Sequence, residues 1–340
     1  MRLQWTSVVR ALALHFCFVS LSNALTAEGS TIEEPETIDL LTDAKDMRQA
    51  MSGWGTNENT LINILTHRTY NNRLKITQLY RETYSKSLWE DIKSETSNHF
   101  RTTLKGLVLP EARFLAEEMR NAMSGWGTNE DTLLLCLMLT VNDYDTVQGL
   151  KDYYKAIYNT DLEDEIKGET DSPFKDFLVE VLDRPKFNES AEVDNEAVEA
   201  DFSDIKEFLA AKEVKDIVYL VTSRSLKHLA ILQEKYYQSE GSELYQALES
   251  ITDHHMKDGF VSLMSVATDF TRYCAYELHN AMDGDGTEEG VLTRIITTRA
   301  DKDLADIKEM YFEMFNKKLS QQIKDDTSGD YRKTLLSLVN

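Results

Sequence analysis

Met51-Ser52-Gly53-Trp54-Gly55-Thr56-Asn57-Glu58 recurs letter for letter as Met123-Ser124-Gly125-Trp126-Gly127-Thr128-Asn129-Glu130. An altered copy reads Met282-Asp283-Gly284-Asp285-Gly286-Thr287-Glu288-Glu289. Two glycines one residue apart let the backbone take positive φ and reverse sharply. A loop bent this way turns its carbonyl oxygens inward as a partial cage. Thr56, Thr128 and Thr287 are expected to cap the helix that follows, with Asn57, Glu58 and their counterparts in its first turn.

Carbonyls alone hold a hard cation poorly; calcium takes roughly six to eight oxygens, usually with a bidentate carboxylate among them. Each loop has a matching acid downstream. Glu95 lies 44 residues after Met51, Asp326 44 after Met282 and Glu169 46 after Met123. All three stand in one local frame, two residues after a lysine and directly before a threonine: Lys93-Ser94-Glu95-Thr96, Lys167-Gly168-Glu169-Thr170 and Lys324-Asp325-Asp326-Thr327. An EF-hand reading of Asp283-Gly284-Asp285-Gly286 fails, because that loop needs glycine at its sixth position and glutamate at its twelfth, where this chain has Glu288 and Arg294.

This pairing of loop and distant acid resembles the annexins, whose repeats carry a Met-x-Gly-x-Gly-Thr loop and an acidic cap at about this distance. The resemblance covers nearly all of residues 37–340 as four copies. It implies an all-α fold of four repeats with five helices each, packed as a slightly curved disc. The calcium loops would lie on the convex face and both termini on the concave one. Calcium ligands in the first site are then the carbonyls of Met51, Gly53 and Gly55 with the Glu95 carboxylate. In the second they are Met123, Gly125, Gly127 and Glu169, and in the fourth Met282, Gly284, Gly286 and Asp326. That is about five protein oxygens per ion, so water or a lipid phosphate would complete the shell.

Apolar residues at three- and four-residue spacing support the helical reading, and β signals are absent. Repeat one runs over 37–109, repeat two over 111–182, repeat three over 200–266 and repeat four over 269–340. Residues 183–199 read as a linker rich in Asn, Glu and Asp, and 25–36 as a short, mobile tail. In repeat one the inward positions are Leu61, Ile62, Ile64 and Leu65, then Leu74, Ile76, Leu79 and Tyr80, then Leu88, Trp89 and Ile92, then Phe100, Leu104, Leu107 and Val108. Repeat three is the exception. Its loop reads Leu209-Ala210-Ala211-Lys212-Glu213-Val214, with no glycine and a lysine where a cation would sit, and Ile251 stands at the acidic position. Loop and cap are lost together, so three sites are expected.

The chain of 340 residues carries a formal net charge of -22. Such an acidic protein is not expected to bind nucleic acid, and anionic lipid would repel it unless a cation bridges the two. The N-terminus reads as a secretory signal over 1–24. Arg2 and Arg10 precede an apolar run from Ala11 to Leu21, and cleavage would follow Ser22-Asn23-Ala24. This departs from most annexins. Cys17 would leave with the signal, while Cys136 and Cys274 read as buried thiols. Asn188-Glu189-Ser190 is a glycosylation sequon in polar surroundings.

The expected function is calcium-dependent binding of anionic, phosphatidylserine-like membranes, without catalysis. Trp54 and Trp126, between the loop glycines, are suited to the membrane interface. Asp285 replaces them in the fourth loop, which should bind ion well and grip lipid less. The alternatives are a calcium-gated ion pathway, which annexins have been proposed to form, and a secreted interaction scaffold acting on host or extracellular targets. Location is expected to be extracellular, or cytoplasmic if the signal is unused. Arg68, Arg224 and Arg299, each just before a third helix, read as structural ion pairs or caps, and His254-His255 as a solvated turn. No phosphate-binding loop and no nucleophile elbow is present.

Overall fold

The computed structural model describes residues 29–340 except 54, 126 and 253. The signal-peptide reading, Cys17, Trp54 and Trp126 therefore lie outside the described residues. The described chain contains twenty α-helices and no strand. They fall into four sets of five. The first is α1 (Leu40–Ala50), α2 (Glu58–Thr66), α3 (Tyr70–Tyr84), α4 (Leu88–Glu95) and α5 (Asn98–Val108). The second is α6 (Glu111–Ala122), α7 (Glu130–Thr140), α8 (Tyr144–Tyr158), α9 (Leu162–Glu169) and α10 (Phe174–Leu182). The third is α11 (Asn195–Ala211), α12 (Val214–Thr222), α13 (Leu226–Glu240), α14 (Leu244–Glu249) and α15 (His254–Thr268). The fourth is α16 (Phe270–Asn280), α17 (Glu289–Arg299), α18 (Leu304–Phe315), α19 (Leu319–Asp326) and α20 (Gly329–Val339).

Local chemistry sets these boundaries. Asp39 starts α1 by accepting from the Leu41 and Thr42 amides, and Asp143 starts α8 by accepting from the Thr146 amide. Every third helix ends on a left-handed residue: Ser85, Asn159, Gly241 and Asn316. That conformation frees the chain to turn and lets the cap amide close the last turn.

The helices gather into two compact units, one made of the residues up to Leu109 with Thr271–Asn340, the other of Pro110–Phe270. Both are built by the same exchange. In the first, α5 packs on α17 and α2 on α20. In the second, α10 packs on α12 and α7 on α15. The second and fifth helices of each set thus form the shared core of a pair. Accordingly α7 is buried on all sides from Thr132 to Thr140 and shows no apolar stripe. Phe177 of α10 lies against Gly259 of α15, where a Cβ would come within 2.8 Å of its ring. Cys136 and Cys274 are both buried thiols.

The inward positions read in repeat one are buried except Leu74, Leu79 and Phe100, which are half-buried. Two boundary readings are corrected. Helix α11 begins at Asn195, inside the stretch taken as linker, because Asp194 caps it. The tail taken as mobile is engaged from Gly29 onward. The Thr31 amide donates to the Ala300 carbonyl at 2.9 Å, and the Ala305 amide to the Gly29 carbonyl at 2.9 Å. Glu34 accepts from the Thr69 amide and from Asn72, which holds its carboxyl below the usual range against the opposing effect of burial. A Cβ at Gly29 would stand 2.5 Å from the Lys302 carbonyl oxygen, so the strap requires glycine there.

The three arginines are structural ion pairs. Arg68 grips buried Asp43 through two bonds of 2.7 and 2.9 Å. Arg224 holds Asp201 in the same way, and Arg299 pairs with Asp303. His254 is exposed and 3.3 Å from Asp258. No group of metal-ligating side chains and no helix long and apolar enough to cross a membrane occurs among the described residues.

Candidate metal centres at three helix junctions

The recurring loops occupy the junction between the first and second helices of sets one, two and four. Gly53 and Gly55 have φ of 107° and 84°, Gly125 and Gly127 110° and 88°, and Gly284 and Gly286 106° and 113°. Only glycine takes these values without strain, and nothing within 4 Å of the six positions would otherwise forbid a side chain. A backbone bond closes each loop: Asn57 to Ala50, Asn129 to Ala122 and Glu288 to Ala281, all at 2.8 Å. The side chains of Met51, Met123 and Met282 are buried. Each methionine therefore anchors its loop in the core and can offer an ion only its carbonyl.

The threonines do not cap the following helix. The caps are Asn57, accepting from the Thr60 amide, and Asn129, accepting from the Thr132 amide; Glu288 holds the same position in the fourth loop. Each threonine instead reaches across to the acid. The Thr56 hydroxyl donates to the Glu95 carboxylate at 3.0 Å. Thr128 donates to the Glu169 carbonyl at 2.9 Å, and Thr287 to the Asp326 carbonyl at 3.1 Å. Residues about forty apart are thereby tied into one site, three times. The one-residue shift is invisible to spacing, because Asn and Thr are both good caps.

The acids are held in an unfavourable place. Glu95, Glu169 and Asp326 are the last residues of α4, α9 and α19, where the helix dipole is negative. Thr96, Thr170 and Thr327 end these helices, each bonding by hydroxyl and amide to the isoleucine carbonyl four residues earlier. Repeating an acid against the dipole three times opposes stability and suits a cation placed there. Carbonyl-bearing loop, carboxylate and open neighbourhood together fit a hard, oxygen-preferring ion.

A support unread from sequence underlies the first two sites. Arg48 donates to Asp91 at 2.9 Å and lies over the Tyr84 ring, while the Tyr80 hydroxyl donates to the same Asp91 at 2.6 Å. Burial, reinforced by that bond, pushes the Tyr80 hydroxyl up to about 12. Arg120 pairs with Glu165 and covers the Tyr158 ring in the second site. These pairs fix the first helix against the fourth. The only sequence signal was Arg three residues before each loop methionine and an acid four before each cap.

A sequence profile of the family described as Annexin matches residues 42–107, 114–181 and 273–338. The chain is 33% identical over 309 residues to human annexin A13, covering 90% of this chain and 97% of that protein. Its fold matches that of an annexin A8 mutant with a TM-score of 0.84 and 29% identity, over 92% of this chain and 98% of that one. Calcium-bound annexin (Sm)1 matches with a TM-score of 0.79 and 30% identity, over 92% and 93% respectively. A chain with this repeated helical fold and these junction loops belongs to the annexin family. The profile skips the third set, the one without glycine loop or acid.

Proposed function

We propose that this annexin binds anionic phospholipid membranes through calcium held at three sites. The ligands are the carbonyls of Met51, Gly53 and Gly55 with Glu95, those of Met123, Gly125 and Gly127 with Glu169, and those of Met282, Gly284 and Gly286 with Asp326. The observation that supports this reading is the threonine bond to the acidic residue, to the carboxylate of Glu95 and to the main-chain carbonyls of Glu169 and Asp326, which draws each loop to the helix end that bears the acid. Calcium supplies the positive charge that lets a protein of net charge -22 approach anionic lipid. Each ion keeps open positions for a lipid phosphate oxygen, so the membrane completes the shell. Trp54 and Trp126, between the loop glycines in sequence, are the proposed membrane-contact residues, of a type suited to the headgroup boundary.

The functional units are four repeats, at 37–109, 111–182, 195–266 and 269–340, the third serving as scaffold. The N-terminal apolar run directs export, and Asn188, exposed in a turn, is the glycan acceptor in that setting. Outside the cell abundant calcium keeps weak sites filled. The activity is binding rather than catalysis.

The test is sedimentation with phosphatidylserine vesicles, in calcium and in chelator. Binding that needs calcium and disappears when Glu95, Glu169 and Asp326 are all replaced by Ala supports the reading. Unchanged binding by that variant overturns it.

A further inference from the structure

The three sites differ one turn before the acid. In sites one and two that position carries Asp91 and Glu165, each drawn away to an arginine, Arg48 and Arg120. In site four it carries Gln322, and the arginine is replaced by His279. The His279 ring does not take over the arginine's role. It stacks on Phe315 with centroids 3.8 Å apart, and its Nδ1 lies 3.4 Å from the Tyr311 hydroxyl. Gln322 turns the other way. Its side-chain nitrogen donates to the Asp326 carboxylate at 2.6 Å and to the Met282 carbonyl at 3.3 Å.

Those two oxygens are the ones an ion in site four would bridge. We propose that Gln322 is a built-in plug of the fourth site, its amide holding the ion's place between Met282 and Asp326 until calcium displaces it. The proposal rests on the reading of Met282 and Asp326 as ligands. Calcium–oxygen contacts are about 2.3–2.6 Å, so the amide nitrogen and the ion cannot both stand between these oxygens. The amide carries only partial positive charge, and a divalent ion outcompetes it. Calcium must nonetheless break a 2.6 Å amide bond to the carboxylate, shorter than the 3.0 Å bond that the Glu95 carboxylate of site one accepts from the Thr56 hydroxyl. The two aspartates of the fourth loop favour ion binding, and the plug opposes them. The consequence is graded filling: sites one and two load first, and site four only at higher calcium.

Losing one charge-assisted hydrogen bond corresponds to about a tenfold weakening of affinity. The test uses the full chain carrying Glu95→Ala and Glu169→Ala, so that site four alone remains, titrated with calcium chloride by calorimetry. Adding Gln322→Ala is expected to raise the affinity about tenfold, since the shorter side chain frees both oxygens. Equal or lower affinity would show that the amide is neutral or a helpful positioning group, and overturns the plug. If the site-four chain takes up no calcium with or without Gln322, and Asp326→Ala removes no ion from the intact protein, the reading of site four itself fails. A second measurement leaves the plug's residues intact. In the unsubstituted protein the Gln322 side-chain amide resonances should move, and their protons exchange faster, over the calcium range that fills the last site; resonances that stay put overturn the plug.

Discussion

Repeats two and three lie in one compact unit and share helix order, yet differ at the first junction. In repeat two, seven residues separate α6 from α7, bent by two positive-φ glycines and closed by Asn129 on Ala122. In repeat three only Lys212 and Glu213 separate α11 from α12, and Lys212 makes the turn alone at φ 61°. The acidic corner changes with it. Thr252 still bonds back to Leu248, as Thr170 does to Ile166, but the residue before it is Ile251 rather than an acid. The scaffold therefore does not need the loop. Its helices are held by the exchange of second and fifth helices, which repeat three keeps through α10 on α12 and α7 on α15. Loop and acid are absent together from repeat three, in keeping with the proposed calcium site, which uses both.

The largest expected effect comes from making the other repeats resemble the third. Removing Glu95, Glu169 and Asp326 together should weaken vesicle binding by a factor on the order of 10² or more, while each single change costs far less, because linked sites reinforce one another. Unchanged thermal unfolding in chelator would show that the scaffold is indifferent to the acids.

The reverse graft is the sharper test. Replacing Lys212-Glu213 by the seven residues Met123–Asn129, together with Ile251→Glu, should add one calcium ion per chain in a calorimetric titration. Ile251→Glu alone should add none. An ion gained by the single change would show that the carboxylate suffices without the carbonyl loop.

Backbone conformation offers a smaller contrast of opposite sign. Gly125→Ala forces a side chain to φ 110° and should cost about 1–2 kcal/mol of stability by denaturant unfolding. Lys212→Gly relieves a left-handed lysine and should add about 0.5–1 kcal/mol. The smallest effect is expected from Thr128→Val, which removes the tie to Glu169 without disturbing the core. Stability should stay within about 0.5 kcal/mol, and calcium affinity at that site should fall about threefold. A full loss of affinity would make the hydroxyl a ligand rather than a tie.

Much of this molecule could be read from its residues because the signals are local or strictly repeated. Glycine pairs that need positive φ, acids in a fixed frame before threonine, and three- and four-residue apolar spacing each act within one helix or one loop. Three copies turn a weak pattern into a firm one. The absence of both halves in repeat three was legible for the same reason. So was the all-helical class, since no stretch alternated with period two.

What the tertiary structure decided are choices between near-equivalent partners. Asn57 rather than Thr56 caps α2, because a partner some forty residues away claims the threonine hydroxyl. Residues 29–34 are held by the Ala300 carbonyl, the Ala305 amide and the Thr69 and Asn72 donors to Glu34, distant partners that no local propensity reveals. Helix α7 carries no stripe because helices from two repeats enclose it. In sequence Gln322 is one polar residue on a short helix; folding sets the Met282 carbonyl and the Asp326 carboxylate beside its amide. Local rules define what each segment can do. Only packing brings distant donors and acceptors within about 3 Å, and at that distance hydrogen bonds select one partner from several.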